Sequence, residues 1–261
     1  MNLKKIGIYA GSTIGSLLVV FLLLTALVGM LMPNAMFNPQ TSWAPIPNYG
    51  YETNWLKNSA GQNLSIWNVK NPKSDTAVLY LHGNGGRIGD FFVDIAKTGT
   101  NVFSPSYAGY GESDGKPSME STYETAVLAY DYIIKQGFTE DKIVILGHSM
   151  GGSPATYLAN QKPKAKKLVL INTFSSAQSM CFRSLGIFCG FTGGFFNSAE
   201  NAKTVTVPVA QFAYKGDTTV PFAEGQTLFG YFPKSDKNKF VAMDKDTHSY
   251  PDWSLIAPEL K

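Results

Sequence analysis

Residues that many functions depend on are scarce in this chain. It has two cysteines and three histidines, and 22 Lys and Arg against 19 Asp and Glu leave a formal charge of +3 over 261 residues. The basic residues are scattered, so the positive stripe that would hold a nucleic-acid backbone is missing, and no nucleic-acid partner is expected. The densest group, "KPKAKK" from Lys162 to Lys167, reads as a solvated face, with acidic lipid headgroups as the sharper alternative. No Gly-Lys-Ser or Gly-Lys-Thr occurs, and "HGNGGRIG" lacks the Gly-x-Gly-x-x-Gly spacing, so the usual phosphate-cradling loops are excluded. Internal repeats, coiled coils and low-complexity tracts are missing too, and neither cofactor nor metal is expected.

Charge is absent altogether from Ile6 to Met32, 27 consecutive residues, whereas about 20 apolar residues in a helix suffice to cross a bilayer core. A cleaved signal peptide would carry a shorter apolar run, about 7–15 residues, and an Ala-x-Ala-like exit. The best exit here, "PNA" at Pro33 to Ala35, puts proline where a small residue is wanted, so the segment reads as an uncleaved anchor. Lys4 and Lys5 precede it and the next charge is Glu52, which leaves the N-terminus in the cytoplasm and exports the remainder. The expected organisation is a cytoplasmic end over 1–5, a transmembrane anchor over 6–32, an irregular tether over 33–48 and one domain over 49–261. A domain of that size has room for a deep core.

Within the domain, Tyr51 to Lys57 and Leu64 to Lys70 flank the turn signal "NSAGQ" and predict a β-hairpin. Six short apolar runs follow: Ala77 to Leu81, Asn101 to Ser104, Lys142 to Leu146, Lys167 to Ile171, Val207 to Tyr214 and Lys239 to Met243. Runs of this kind suit strands buried on both faces. Helical patterns lie between several of them, notably Met119 to Gln136 and Met150 to Gln161, and the alternation predicts βαβ units with a mostly parallel sheet.

Reactive groups in such sheets collect at the carboxyl ends of the strands. After "KIVIL" comes Gly147-His148-Ser149-Met150-Gly151-Gly152, a Gly-x-Ser-x-Gly sequence between a strand and a helix. A turn that tight presses its flanking residues against neighbouring backbone, which glycine tolerates, and it lifts the serine Oγ above the sheet. Ser149 is therefore the candidate nucleophile. It needs a base, usually a histidine held by a carboxylate. His82 lies in a glycine-rich loop and the side chain of His148, next to the serine, is poorly placed to turn back, so His248 in "DKDTHSYPDW" is the candidate base. Of the acids between Ser149 and His248, only Asp217 directly follows a strong strand, in "FAYKGDTTVP", and Asp246 is the reserve. An oxyanion would take one backbone N–H from Met150 and a second from "LYLHGNGG", with Asn84 the first choice and Gly85 the fallback.

Together, "LYLHGNGG", "YAGYGESDGKPS", "ILGHSMGG", "GDTTVP" and His248 resemble the α/β-hydrolase superfamily, in family order over roughly residues 45–261. With the anchor, the chain resembles the membrane-anchored ABHD-type serine hydrolases, which act on lipid esters or acyl thioesters. The resemblance implies an α/β-hydrolase fold, flanking helices and a small cap over about 172–206. One departure stands out: the family often has Asp-x-Arg-Gly-x-Gly where this chain has Ser106-Tyr107-Ala108-Gly109-Tyr110-Gly111. In the aromatic insertion, Phe182, Phe188, Phe191, Phe195 and Phe196 are candidates either for an acyl pocket or for ordinary core. Cys181 and Cys189 are too far apart in a straight helix, about 12 Å, to bridge, so a disulfide requires a turn within "FRSLGIF", where Gly186 can supply one. The leading functional reading is a hydrolase of esters or thioesters. A serine aminopeptidase and a non-catalytic binding protein on the same scaffold are the alternatives.

Overall fold

The computed structural model describes residues 3–41, 50–86, 89 and 91–261; the last part of the expected tether, residues 42–48, lies outside them. The first helix, α1 (Leu3–Ala35), continues past Met32. Its stretch Thr13–Met32 has a mean hydropathy of 2.7 and is long and apolar enough to cross a membrane. Phe37, just beyond α1, stacks edge-on against Phe195 and Phe196, and Gly111 donates its N–H to the Gln40 carbonyl at 2.8 Å. The start of the tether is thus fastened to the domain.

The hairpin forms as β1 (Glu52–Lys57) and β2 (Asn63–Val69), with Leu56 opposite Leu64. Strands and helices then alternate. They are β3 (Ala77–Leu81), α2 (Phe92–Lys97), β4 (Asn101–Pro105), α3 (Met119–Lys135), β5 (Ile143–His148), α4 (Gly152–Gln161) and β6 (Lys167–Ile171). After β6 come α5 (Ala177–Leu185), α6 (Ser198–Ala202), β7 (Val209–Tyr214), α7 (Phe222–Phe229), β8 (Lys239–Met243) and α8 (Trp253–Ile256). The sheet order is β1-β2-β4-β3-β5-β6-β7-β8, antiparallel through β1, β2 and β4 and parallel from β4 onward.

The period-2 pattern of each strand divides the core into two layers. Leu79 and Leu81 face a layer completed by Tyr130 and Ile133 of α3 and Leu158 of α4, while Val78 and Tyr80 face Phe92 and Ile95 of α2 and Ile256 of α8. Each large apolar side chain buried this way contributes about 1.5–3 kcal/mol. Because β4 lies on one side of β3 and β5 on the other, the chain reverses its winding between them. That reversal opens a crevice at the carboxyl ends of β3 and β5.

Between β6 and β7 the chain leaves the sheet. Ser176 caps α5 by accepting the Ser179 N–H at 3.0 Å, and α5 ends at Gly186, whose φ of 58° only glycine adopts without strain. A 3₁₀ stretch, Gly186–Thr192, then doubles back, so that Cys181 and Cys189 lie 5.8 Å apart at Cα and form a disulfide. The turn expected at Gly186 is present. The excursion is braced from α7 by buried Glu224, which accepts from Ser175 N (3.2 Å), Ser175 Oγ (2.7 Å), Ser179 Oγ (2.7 Å) and Arg183 Nε (2.7 Å).

Candidate active site

β5 ends at His148, and Ser149 takes φ 53°, a left-handed value uncommon for a residue with a Cβ. The steric reason for its glycine neighbours is direct. A Cβ on Gly147 would meet Ala155 Cβ at 2.6 Å, and one on Gly151 would lie 2.1 Å from the Leu81 carbonyl oxygen. Only a bare backbone lets the turn sit between β3 and α4. Thr173 closes the turn from β6, its hydroxyl donating to the Ser149 carbonyl at 2.8 Å.

Strand ends bring in the other two side chains. The loop after β8 places His248 Nε2 2.9 Å from Ser149 Oγ, and His248 Nδ1 2.7 Å from Asp217 Oδ2. Asp217 is buried in the turn after β7, where its Oδ1 accepts the N–H groups of Thr219 (2.8 Å) and Val220 (2.9 Å). Asp246 is exposed and its carboxylate lies across Gly216, where a Cβ would come within 1.6 Å of its Oδ1, so the acid next to His248 is Asp217 and not the reserve. Ser149 and His248 open onto a cleft of about 650 Å³ lined also by Gly83, Asn84, Phe91 and Tyr250. Met150 follows Ser149 with its side chain in the core and its N–H in the first turn of a helix, where no intrahelical acceptor exists. None of the five candidate phenylalanines lines this cleft: Phe196 is core, Phe195 packs against it, Phe188 packs on Phe21 of α1, and Phe182 and Phe191 are exposed.

Comparison with known proteins agrees with the fold. Residues 76–198 match the alpha/beta hydrolase fold family, and a solved alpha-beta hydrolase from Vibrio vulnificus superposes with a TM-score of 0.72 at 20% identity, covering 89% of this chain and 92% of that one. The chain has the α/β-hydrolase fold. Among curated relatives it is 34% identical over 155 residues to alpha/beta hydrolase domain-containing protein WAV2 of Arabidopsis thaliana, covering 56% of this chain and 50% of that protein. It is 28% identical over 247 residues to lysophosphatidylserine lipase ABHD12 of Mus musculus, covering 84% of this chain and 61% of that protein. The chain therefore spans between half and two thirds of the length of these two relatives.

Several site residues of this hydrolase fold were not legible in the motifs. His148 is buried, which lowers its pKa to about 3 with help from the neighbouring His248. Its Nε2 lies 2.9 Å from the His248 carbonyl, an acceptor, so Nε2 carries the proton and donates. Asn172, at φ 46°, donates to the same carbonyl at 3.1 Å. These two residues fix the loop that carries His248. His82, lowered to about 4 by burial, donates from Nδ1 to the Gly83 carbonyl at 2.9 Å and shapes the glycine loop. In the Ser106–Gly111 loop, Ser106 and Ala108 stand at the positions of the expected Asp and Arg, and the neighbouring tyrosine hydroxyls anchor the glycine loop. Tyr107 donates to the His82 carbonyl (3.0 Å), and Tyr110 donates to Asn84 Oδ1 (3.0 Å), which also accepts the Asn38 N–H at 2.6 Å.

Proposed function

We propose that this chain is a membrane-anchored serine hydrolase that cleaves carboxylic esters or thioesters of lipid or acyl substrates. The observation that carries the reading is the unbroken hydrogen-bonded line Ser149–His248–Asp217, with links of 2.9 and 2.7 Å, at an open cleft. As Ser149 Oγ bonds to the acyl carbon, its proton passes to His248 Nε2 and the carbonyl π electrons move to oxygen. Asp217, its other oxygen engaged by two backbone N–H groups, holds the imidazole in the tautomer with Nδ1 protonated and supports the imidazolium that forms. The N–H groups of Met150 and Asn84 receive the oxyanion, each worth about 3 kcal/mol. On collapse, the bond to the alcohol or thiol breaks and His248 protonates the leaving group. Water then attacks the acyl-enzyme by the same route and regenerates Ser149.

The membrane part of the reading is supported by α1, and the orientation by Lys4 and Lys5 ahead of it, which favours a cytoplasmic N-terminus and an exported domain. Likeness to a lysophosphatidylserine lipase makes a monoacyl phospholipid ester the first substrate class to try. A fluorophosphonate probe is expected to label the wild-type chain and not Ser149→Ala. Asp217→Asn is expected to cost a factor on the order of 10⁴ through the wrong tautomer. Rates on a lysophospholipid, an acyl thioester and an aminoacyl amide then separate the substrate classes. Labelling that survives Ser149→Ala would remove the nucleophile assignment, and turnover confined to the amide would replace the ester reading with a peptidase.

A further inference from the structure

The segment from Ser184 to Ala199 runs for 16 consecutive residues without Asp, Glu, Lys or Arg. In the fold it becomes a knuckle, the end of α5 and the 3₁₀ stretch Gly186–Thr192, stapled at its base by Cys181–Cys189. Its large side chains point outward: Ile187 is 69% exposed, Phe191 61% and Leu185 52%. A water-facing loop gains nothing from such residues, and a contiguous apolar patch on a soluble surface is uncommon.

What lies beside the knuckle decides its role. It packs along α1, where Phe188 meets Phe21 with ring centroids 5.7 Å apart, and a Cβ on Gly29 would lie 3.1 Å from the Phe191 carbonyl oxygen. Among the described side chains of Thr13–Met32, only Phe21, Thr25, Val28, Gly29 and Met32 are covered, a helical stripe that faces the domain. The knuckle's backbone is provided for as well. Gln178 Nε2 donates to the carbonyls of Cys189 and Gly190, both at 3.3 Å, and Thr192 Oγ1 donates to Cys189 at 2.7 Å. Capping of these carbonyls is what an irregular backbone needs where water is scarce.

The length of α1 gives the depth. The 27 uncharged residues from Ile6 to Met32 make about 40 Å of helix, roughly 10 Å more than a hydrocarbon core of about 30 Å requires. With Lys4 and Lys5 held at the inner surface, the outer hydrocarbon boundary falls near Ala26, so Phe21, beside Phe188, lies about 7 Å beneath it and Gly29, beside Phe191, about 4–5 Å above it among the headgroups. The depth of Phe21 is the one at which interfacial apolar side chains settle, about 5–10 Å. We infer that the disulfide-stapled knuckle, through Leu185, Ile187 and Phe191, inserts into the outer leaflet beside the anchor and gives the domain a second foothold in the bilayer. The inference rests on the reading of α1 as a membrane span.

The test uses the full chain in phosphatidylcholine vesicles. Both native cysteines are bonded, so Ile187→Cys and Phe191→Cys, made singly, each offer one thiol for an environment-sensitive fluorophore. Leu17→Cys on α1 and Lys237→Cys on the exposed turn before β8 are the controls. Labels at 187 and 191 are expected to shift to shorter emission wavelengths and to lose most of their intensity to doxyl-labelled lipid, as Leu17→Cys does and Lys237→Cys does not. Quenching at 17 without quenching at 187 and 191 would overturn the knuckle while leaving the anchor in place. No quenching at 17 would overturn the membrane reading and the knuckle with it. A blue shift at 187 that ignores doxyl lipid and vanishes when the protein is diluted into excess lipid would assign the surface to a second copy of the chain, and the inference would fail.

Discussion

A left-handed backbone costs an L-residue about 1–2 kcal/mol relative to its right-handed form, and Ser149 carries that cost at φ 53°. Ser149→Gly is therefore expected to unfold later than Ser149→Ala, by about 1 kcal/mol in thermal or urea melts, although both lack the hydroxyl. Equal stability of the two variants would show that the turn is relaxed. Tyr110→Phe probes the glycine loop. It removes one of the two donors to Asn84 Oδ1, worth about 0.5–1.5 kcal/mol, and turnover is expected to fall about two- to tenfold with little change in KM. An unchanged kcat would remove Asn84 orientation from the mechanism. Ser149, His248 and Asp217 were legible because each follows a strand with its own short signature. The roles of His148, Asn172 and Tyr110 were not, because each works through a contact far along the chain, 100 residues in the case of His148 and His248.

Elements were read most securely where a buried strand writes its own pattern. Ala77–Leu81, Lys167–Ile171 and Lys239–Met243 match the sequence expectation end to end, while the second hairpin strand and β7 are shifted by one and two residues at their starts. The six-residue α2 and the four-residue α8 carry too few turns to display a helical period. The excursion after β6 was legible as an aromatic insertion, but its brace, Glu224 on α7, was not. Burial raises the Glu224 pKa, and hydrogen bonds from Arg183, Ser179 and Ser175 outweigh it, so the group stays below its ordinary value of 4.5. A depressed folded pKa adds stability above the unfolded value and loses it as pH falls through the folded one. The protection of α5 amides against hydrogen exchange, after correction for the intrinsic pH dependence, is accordingly expected to fall below pH 4.5. Glu224→Gln should exchange faster at neutral pH, at a cost of about 1–3 kcal/mol, and show a flatter acid response. Identical profiles would mean that the brace is idle.

At the scale of the whole molecule, the sequence shows an apolar segment and an α/β-hydrolase-fold domain but not how the two are joined, since the residues that meet, Phe21 and Phe188, are separated by most of the chain. The proposed orientation has a simple check. Protease added to intact cells, or to spheroplasts where an outer membrane is present, is expected to digest the domain, and protection until lysis would reverse the topology. The Asn38 N–H that holds Asn84 at 2.6 Å belongs to the third residue after α1 ends. Three residues reach at most about 10 Å, so under the proposed anchoring the glycine loop beside Ser149 cannot rise or swing far from the outer end of α1, a rigid helix continuous with the span. The anchor then acts as a ruler. It fixes the height at which Ser149 meets an acyl carbonyl, so the position of the scissile bond along a lipid becomes a matter of distance from the membrane plane as well as of pocket shape.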